Sequence, residues 1–224
     1  LLGAKSVAVV GTRDPSATGE FLTRYAVSLC REFGFPVVSG LAKGIDSVAH
    51  DWSLKLQLPT ISVLGSGLLV PYPAKNIGLA EKIVEEGGLL ISEYLPRQQP
   101  AAEMFVWRNR LQACIAETVI AAEWRRASGT AHTVRFANEL HRTSISLSLF
   151  GREDAPDAGR CSRHFVLPSQ HREFASAIAS NRLGVDELNQ QCLPSGEDLI
   201  THSGTIKDGP TESSLDAETQ ASLF

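Results

Sequence analysis

The chain has 224 residues, of which 43% are hydrophobic and 21% charged, and its formal net charge is -4. This is the composition of a globular domain with enough apolar material for a core, and the acidic balance excludes a generally basic nucleic-acid coat while leaving room for a local basic groove. No apolar run approaches the roughly 18 residues of a membrane-spanning helix, and the opening "LLGAKSVAVVG" lacks the basic region and cleavage site of a signal peptide, so a cytoplasmic protein without membrane contact is expected, its sequence entering the first strand abruptly as if an upstream segment were missing.

Apolar runs alternate with helical patterns along the chain. "KSVAVVG" is a buried strand ending in Gly11, and "ATGEFLTRYAVSLCREFG" has apolar residues at helical spacing with a closing Gly34. "PVVSG" and "GIDSVAHDWSLKL" form the next strand and helix, followed by "TISVLGSG" and "NIGLAEKIVEEGG". "LLISEY" pairs with the helix "WRNRLQACIAE", and "TVIAAEW" with "GTAHTVRFANELHR"; "SISLSLF" and "RHFVLPS" are the last strands. Short continuous apolar strands alternating with helices predict an α/β, extended Rossmann-like, doubly wound and mostly parallel sheet with helices on both faces. "GREDAPDAGRCSR", from Gly151 to Arg163, reads as a polar loop insertion. Residues 1–192 are expected to form the core, and the polar residues 193–224 a flexible tail. Cys30, Cys114, Cys161 and Cys192 lie far apart with no C-x-x-C pair, so reduced thiols are expected. No spacing of His or Cys suggests a metal.

In open α/β sheets ligands bind beyond the carboxyl ends of the strands. Four small-residue loops fall at that edge: Gly11-Thr12-Arg13, Ser39-Gly40-Leu41-Ala42-Lys43-Gly44, Gly65-Ser66-Gly67 and Ser128-Gly129-Thr130. Glycines permit close backbone approach, and helix N-termini offer N–H donors with partial positive charge. Hydroxyls, Arg13 and Lys43 complete a set suited to a phosphate-bearing ligand. The pattern is neither G-x-G-x-x-G nor G-x-x-x-x-G-K-[ST], so no dinucleotide cofactor and no P-loop chemistry is expected. Arg108, Asn109 and Arg110 fall at what reads as a helix start, where cations are unfavourable unless an anion is present. Arg125 and Arg126 stand beside the last loop. Asp46 and His50 share a helix face; an acid/base pair is one reading, and a capping carboxylate with a packed histidine is the preferred one. Glu93 could orient Arg108 or Arg110, or act as a base.

The segments "VAVVGTR", "VVSGLAKGIDSVAH", "TISVLGSGL" with "PYPAKN", "GGLLISEY", "FVWRNRLQA" and "SGTAHT" together resemble the DprA/Smf family of DNA-processing proteins, over roughly residues 5–142. The resemblance implies binding of single-stranded DNA, dimerisation and loading of the recombinase RecA in natural transformation, with no cofactor and no catalytic residue. It carries the DNA-contacting cations onto Arg13, Lys43 and Arg110, with the backbone of residues 40–45 and Asn109 shaping the pocket. Phe105, Trp107 and Trp124 are candidate base-stacking residues, although core packing is the preferred reading of each. The chain departs from the family pattern in the 151–163 insertion, in "HFVLPS" ending in Pro-Ser, and in Ala131-His132, which places the RecA surface and dimer face outside what the motifs specify. Two alternatives stay open. One is a sensor of a nucleotide-derived small ligand. The other is a nucleotide phosphoribohydrolase, which needs a glutamate in the last loop that "SGTAHT" does not supply. Finally, "QASLF" resembles the bacterial sliding-clamp-binding motif, with Gln220, Leu223 and Phe224 as its anchors.

Overall fold

The computed structural model describes residues 1–151 and 158–179. In chain order the elements are β1 (Val7–Val10), α1 (Ala17–Phe33), β2 (Val37–Ser39), α2 (Ile45–Lys55), β3 (Thr60–Val63), α3 (Ile77–Glu85), β4 (Leu89–Ile91), α4 (Ala102–Ile115), β5 (Thr118–Ala121), α5 (Gly129–Glu139), β6 (Thr143–Leu149), β7 (Arg163–Leu167) and α6 (His171–Ala179). The strands form one sheet in the order β4-β3-β2-β1-β5-β6-β7. Every pairing is parallel, Val7 standing opposite Val37 on one side of β1 and opposite Thr118 on the other. The expected doubly wound α/β architecture is therefore present.

The central strands are apolar throughout because both faces are covered. Val7, Val9, Val37 and Ile120 pack under α1, α2 and α6, whereas Ala8, Val10, Val38 and Val119 pack under α4 and α5. α1 shows how the sequence encodes this. Ser16 caps its first turn by accepting from the Gly19 N–H, Leu22, Ala26, Leu29 and Cys30 form its buried stripe, and Gly34 ends it at φ 71°, a conformation that favours glycine. The chain reverses winding between β4 and β5, so the sheet edge divides between β1 and β5. That division is where such folds open a crevice.

Several expectations need correction. α4 begins at Ala102, five residues before "WRNRLQACIAE", so Arg108 and Arg110 lie in mid-helix rather than on a first turn. α6 was not expected; its signal is the spacing of its buried residues Phe174, Ala177 and Ile178. Cys30 and Cys161 are free and buried, as expected, but Cys114 is disulfide-bonded. Residues 152–157 of the insertion, Cys192, the proposed 193–224 tail and its anchors Gln220, Leu223 and Phe224 lie outside the described residues. No helix among the described residues is long and apolar enough to cross a membrane.

His50 is a packed core histidine. Its Nδ1 lies 2.8 Å from the Thr60 hydroxyl, which itself donates to the Val37 carbonyl. Thr60 therefore accepts from His50 Nδ1–H, and Nε2 holds the lone pair, buried without a partner. Burial, with the charge of Arg108 second, pushes the imidazole down to about 3. The unfolded chain then takes up a proton below pH 6.5 that the folded chain refuses, so this group's contribution is complete above pH 6.5 and is lost as pH falls towards 3. Urea unfolding should show stability falling by up to about 1.4 kcal/mol per pH unit from this group. A His50→Gln variant should fall less steeply between pH 7 and pH 5. Equal slopes would show that the buried ring does not govern the effect.

Candidate nucleic-acid interface

At the carboxyl edge of the sheet the central group is Arg108. It is 3% exposed, and its Nη1 donates to the Gly40 carbonyl at 2.7 Å and to the Val63 carbonyl, tying the ends of β2 and β3 to α4. Asp46, on the first turn of α2, faces it and accepts from the Gly40 and Ala42 N–H groups. Burial pushes the Asp46 carboxyl up, against the opposing pull of Arg108, and pushes Arg108 down to about 10, against that of Asp46. Each charge is tolerable there because of the other.

This arrangement explains why the residues of the "SGLAKG" loop are small. A Cβ on Gly40 would stand 2.4 Å from Arg108 Nη1 and 2.6 Å from Asp46 Oδ2. At Gly44, φ is +76° and a Cβ would meet the Thr12 carbonyl at 2.4 Å, so the first two loops press together there. Ile45 N–H donates to Thr12 O and Thr12 N–H to Glu123 O. Ser39 gives its hydroxyl to Val9 O. Two of the N–H groups expected to meet phosphate thus serve Asp46, a structural use. The same holds at α1: Glu123 accepts from Ser16 N and Ser16 Oγ, and a Cβ on Gly19 would lie 1.8 Å from its carboxylate. The helix terminus that takes a pyrophosphate in dinucleotide-binding folds is filled by the protein's own carboxylate. The Gly65-Ser66-Gly67 loop is also closed: Gly65 packs on the Phe105 ring, Gly67 on the backbone of Leu95 and Pro96, and Ser66 donates to Val70 O.

What remains open is α5. No side chain caps its N-terminus, a Cβ on Gly129 would touch nothing, and the Ser128 hydroxyl is turned to Arg125 O. A crevice of ≈ 560 Å³ lies between this terminus, α4 and the end of β1, with Arg13, Asn109, Arg126 and Arg160 among its lining. A second crevice of ≈ 820 Å³ continues on the other side of Arg13 and Phe105, lined by Lys43, Tyr72 and Lys75. Arg13 lies 6.0 Å from the Phe105 ring centroid, and Tyr72 5.4 Å from the same ring. The two crevices share Arg13 and Phe105, forming one groove with cations along its length and an aromatic pair at its centre. Lys43, Lys75, Arg126 and Arg160 are exposed and have no acidic partner among the described residues.

Of the residues expected at the site, Gly11, Thr12, Arg13, Gly40, Lys43, Asn109, Ser128, Gly129 and Thr130 line this groove, and Arg108 forms its floor. Arg110 lines neither crevice; it is paired with Glu93 at 2.5 Å and stacked 5.0 Å from the Trp107 centroid. Trp124 is buried, as preferred, whereas Trp107 is 52% exposed. The sequence reading missed Tyr72, Lys75, Gln112 and Arg160. "PYPAKN" carries a family resemblance but no local sign of a groove, and Arg160 sits in the insertion, where nothing local signals a turn towards it.

A family model described as DNA recombination-mediator protein A matches residues 1–154. The chain is 41% identical over 177 residues to the Smf protein of Synechocystis, which covers 79% of this chain and 42% of that one. It is 40% identical over 147 residues to the DNA processing protein DprA of Streptococcus pneumoniae, 66% of this chain and 51% of that one. It thus spans about half or less of these relatives. The crystal structure of the Streptococcus pneumoniae protein superposes with TM-score 0.61 at 30% identity, covering 90% of this chain and 62% of that one. The structure of DNA processing protein A from Helicobacter pylori gives 0.69 at 24% identity, covering 81% and 84%.

The Arg108 tie sets a stability prediction. Arg108→Met keeps the length and removes the guanidinium, leaving the Asp46 carboxyl buried without its counter-charge and the Gly40 and Val63 carbonyls without the Arg108 donor. Denaturant unfolding should register a loss of about 3–5 kcal/mol, against less than about 0.5 kcal/mol for Lys43→Met on the surface. Equal costs for the two would remove Arg108 from its structural role.

Proposed function

Because this chain belongs to the DNA recombination-mediator protein A family, we propose that it binds single-stranded DNA as a non-catalytic accessory of DNA processing and recombination. The observation that carries this is the groove: a cationic track on an acidic chain, running past an aromatic pair and an open helix N-terminus. Phosphates are drawn to the cations, and bases stack on Tyr72 and Phe105 without demanding a sequence. The Helicobacter pylori protein is described for a unique single-stranded DNA binding mode. At 24% identity that likeness speaks for the fold, and the reading for this chain rests on its own groove and family.

Finer proposals follow the same family. They are a homodimer, recruitment of RecA onto the bound strand, and action in the cytoplasm. A separate one concerns "QASLF": Gln220, Leu223 and Phe224 would dock on the bacterial sliding clamp, amide in a polar pocket and Leu-Phe in an apolar one. Clamp binding by the tail peptide, abolished when Leu223 and Phe224 are both changed to Ala, supports it; equal binding by both peptides ends it.

For the groove, anisotropy titrations with a labelled oligonucleotide should show Lys43→Glu and Arg126→Glu each weakening binding by roughly tenfold or more at low salt. Each should also flatten the slope of log K against log salt by about 0.7 for every phosphate that is no longer neutralised. Arg110→Gln, off the groove, should bind within about threefold of the unmodified chain. Unchanged affinity in Lys43→Glu would place the strand elsewhere.

A further inference from the structure

Two loops beside the groove expose leucines that a nucleic acid does not account for. After β3, Leu68 is exposed and Leu69 is 60% exposed; after β4, Leu95 is 75% exposed. The two loops are tied into one wall, because the Leu69 N–H donates to Pro96 O at 2.8 Å and the Gly67 N–H to Gln98 O at 2.9 Å. That wall runs on into Tyr72, Pro73 and Pro100, which line the second crevice together with Lys43 and Lys75. Cations and aromatic rings suit a strand, but an aliphatic side chain offers a base no stacking face. Exposed apolar surface of this kind marks a contact with protein, and beside unpaired lysines it fits a peptide that is both apolar and acidic.

The chain itself carries such a peptide. Residues 180–224, outside the described residues, hold eight acidic side chains against two basic ones. The 179 residues before them hold seventeen against nineteen, so they are net +2 in a chain whose formal charge is -4. From Glu197 to Glu218 the acids are interleaved with large aliphatic residues: Leu199 and Ile200 follow Glu197 and Asp198, and Leu215 stands between Glu212 and Asp216. Length permits the segment to reach the groove. α6 ends at Ala179, whose carbonyl accepts from Lys5 Nζ ahead of β1, at the sheet edge opposite the groove. The stretch 180–196 would span up to roughly 55 Å, whereas the longest strand, of seven residues, crosses the sheet in about 23 Å.

We propose that residues 197–218 lie over the second crevice of their own chain, carboxylates on Lys43 and Lys75 and aliphatic side chains on Leu69 and Leu95, and so compete with single-stranded DNA for the groove. The inference goes beyond the strand-binding reading and rests on it only for the identity of the competitor. Each contact is an exposed charge pair or a surface apolar contact, weak alone and screened by salt. Tethering within one chain makes such contacts count, because it places the segment at an effective concentration of the order of millimolar. The crevice between α4 and α5 stays open, so a strand has a foothold from which to displace the segment.

A carbodiimide joins a carboxylate to a lysine amine without a spacer, so it reads the pairing on the unmodified full chain. Mass spectrometry of the single-chain band should find Lys43 or Lys75 joined to an acidic residue between Glu197 and Glu218. The exposed Lys82 on α3 should show no such link, and a saturating single-stranded oligonucleotide should remove the links. No links, links equally frequent at Lys82, links only in a band of doubled mass, or links that persist under the oligonucleotide overturn the inference. A second arm replaces the six acids from Glu197 to Glu218 by their amides. This variant should bind the oligonucleotide roughly fivefold or more tightly at low salt, the gain narrowing as salt rises. The gain should shrink when Lys43→Gln and Lys75→Gln are added. An equal gain with and without the two lysines is the long-range effect of net charge and overturns the inference, as does no gain at all. Failure of the unmodified chain and the amide variant alike to bind at low salt removes the strand-binding reading instead, and the cross-links still decide whether the segment docks.

Discussion

The bond between one buried guanidinium and two carbonyl oxygens sets the shape of the whole sheet edge. Arg108 reaches from α4 across the carboxyl ends of β2 and β3, and Asp46 balances its charge from α2. A buried ion pair contributes little net stability when intact, yet removing either partner is costly. Its role here is therefore positional. It holds the second loop close to the sheet and requires glycine at position 40, and the close packing of that loop on the first leaves Arg13 and Lys43 projecting into the groove.

The same close packing divides the helix N-termini by use. Glu123 fills the terminus of α1, and the loop before α2 gives two of its N–H groups to Asp46. α5 ends without a side-chain cap on the first crevice, and α4 does so on the second, which Ala101 and Ala102 line. A fold otherwise suited to dinucleotides is thus closed where a pyrophosphate would sit, after β1, and open after β5, the neighbouring strand in the sheet. That displacement, with aromatic rings beside the cations, favours a ligand longer than one cofactor.

Much of this was legible in the sequence. Apolar runs alternating with helical spacing specified the doubly wound sheet, because parallel strands covered on both faces tolerate little else. The glycine-rich loops marked the edge of the sheet at which the groove opens. Their chemistry was read too simply, since a glycine that admits a ligand and a glycine that admits Arg108 look the same in one dimension. Arg110 illustrates the limit: the sequence allowed Glu93 to orient either Arg108 or Arg110, and only the fold shows that it engages Arg110, on another side of α4 from Arg108. Gln112, Lys75 and Arg160 escaped because each reaches the groove through tertiary packing and carries no local motif. α6 was missed because only three buried residues mark it.

The central claim is that the strand lies along the groove between α5 and the "SGLAKG" loop. The structure offers a rival basic face, where Arg163 and Arg172 meet near β7 and α6. Hydrogen–deuterium exchange with and without saturating single-stranded oligonucleotide decides between them most directly. The account predicts slower exchange in residues 11–14, 40–44 and 128–133, reversed by high salt, with residues 163–179 unchanged. Protection confined to residues 163–179, with the groove loops exchanging as in the free protein, would contradict it.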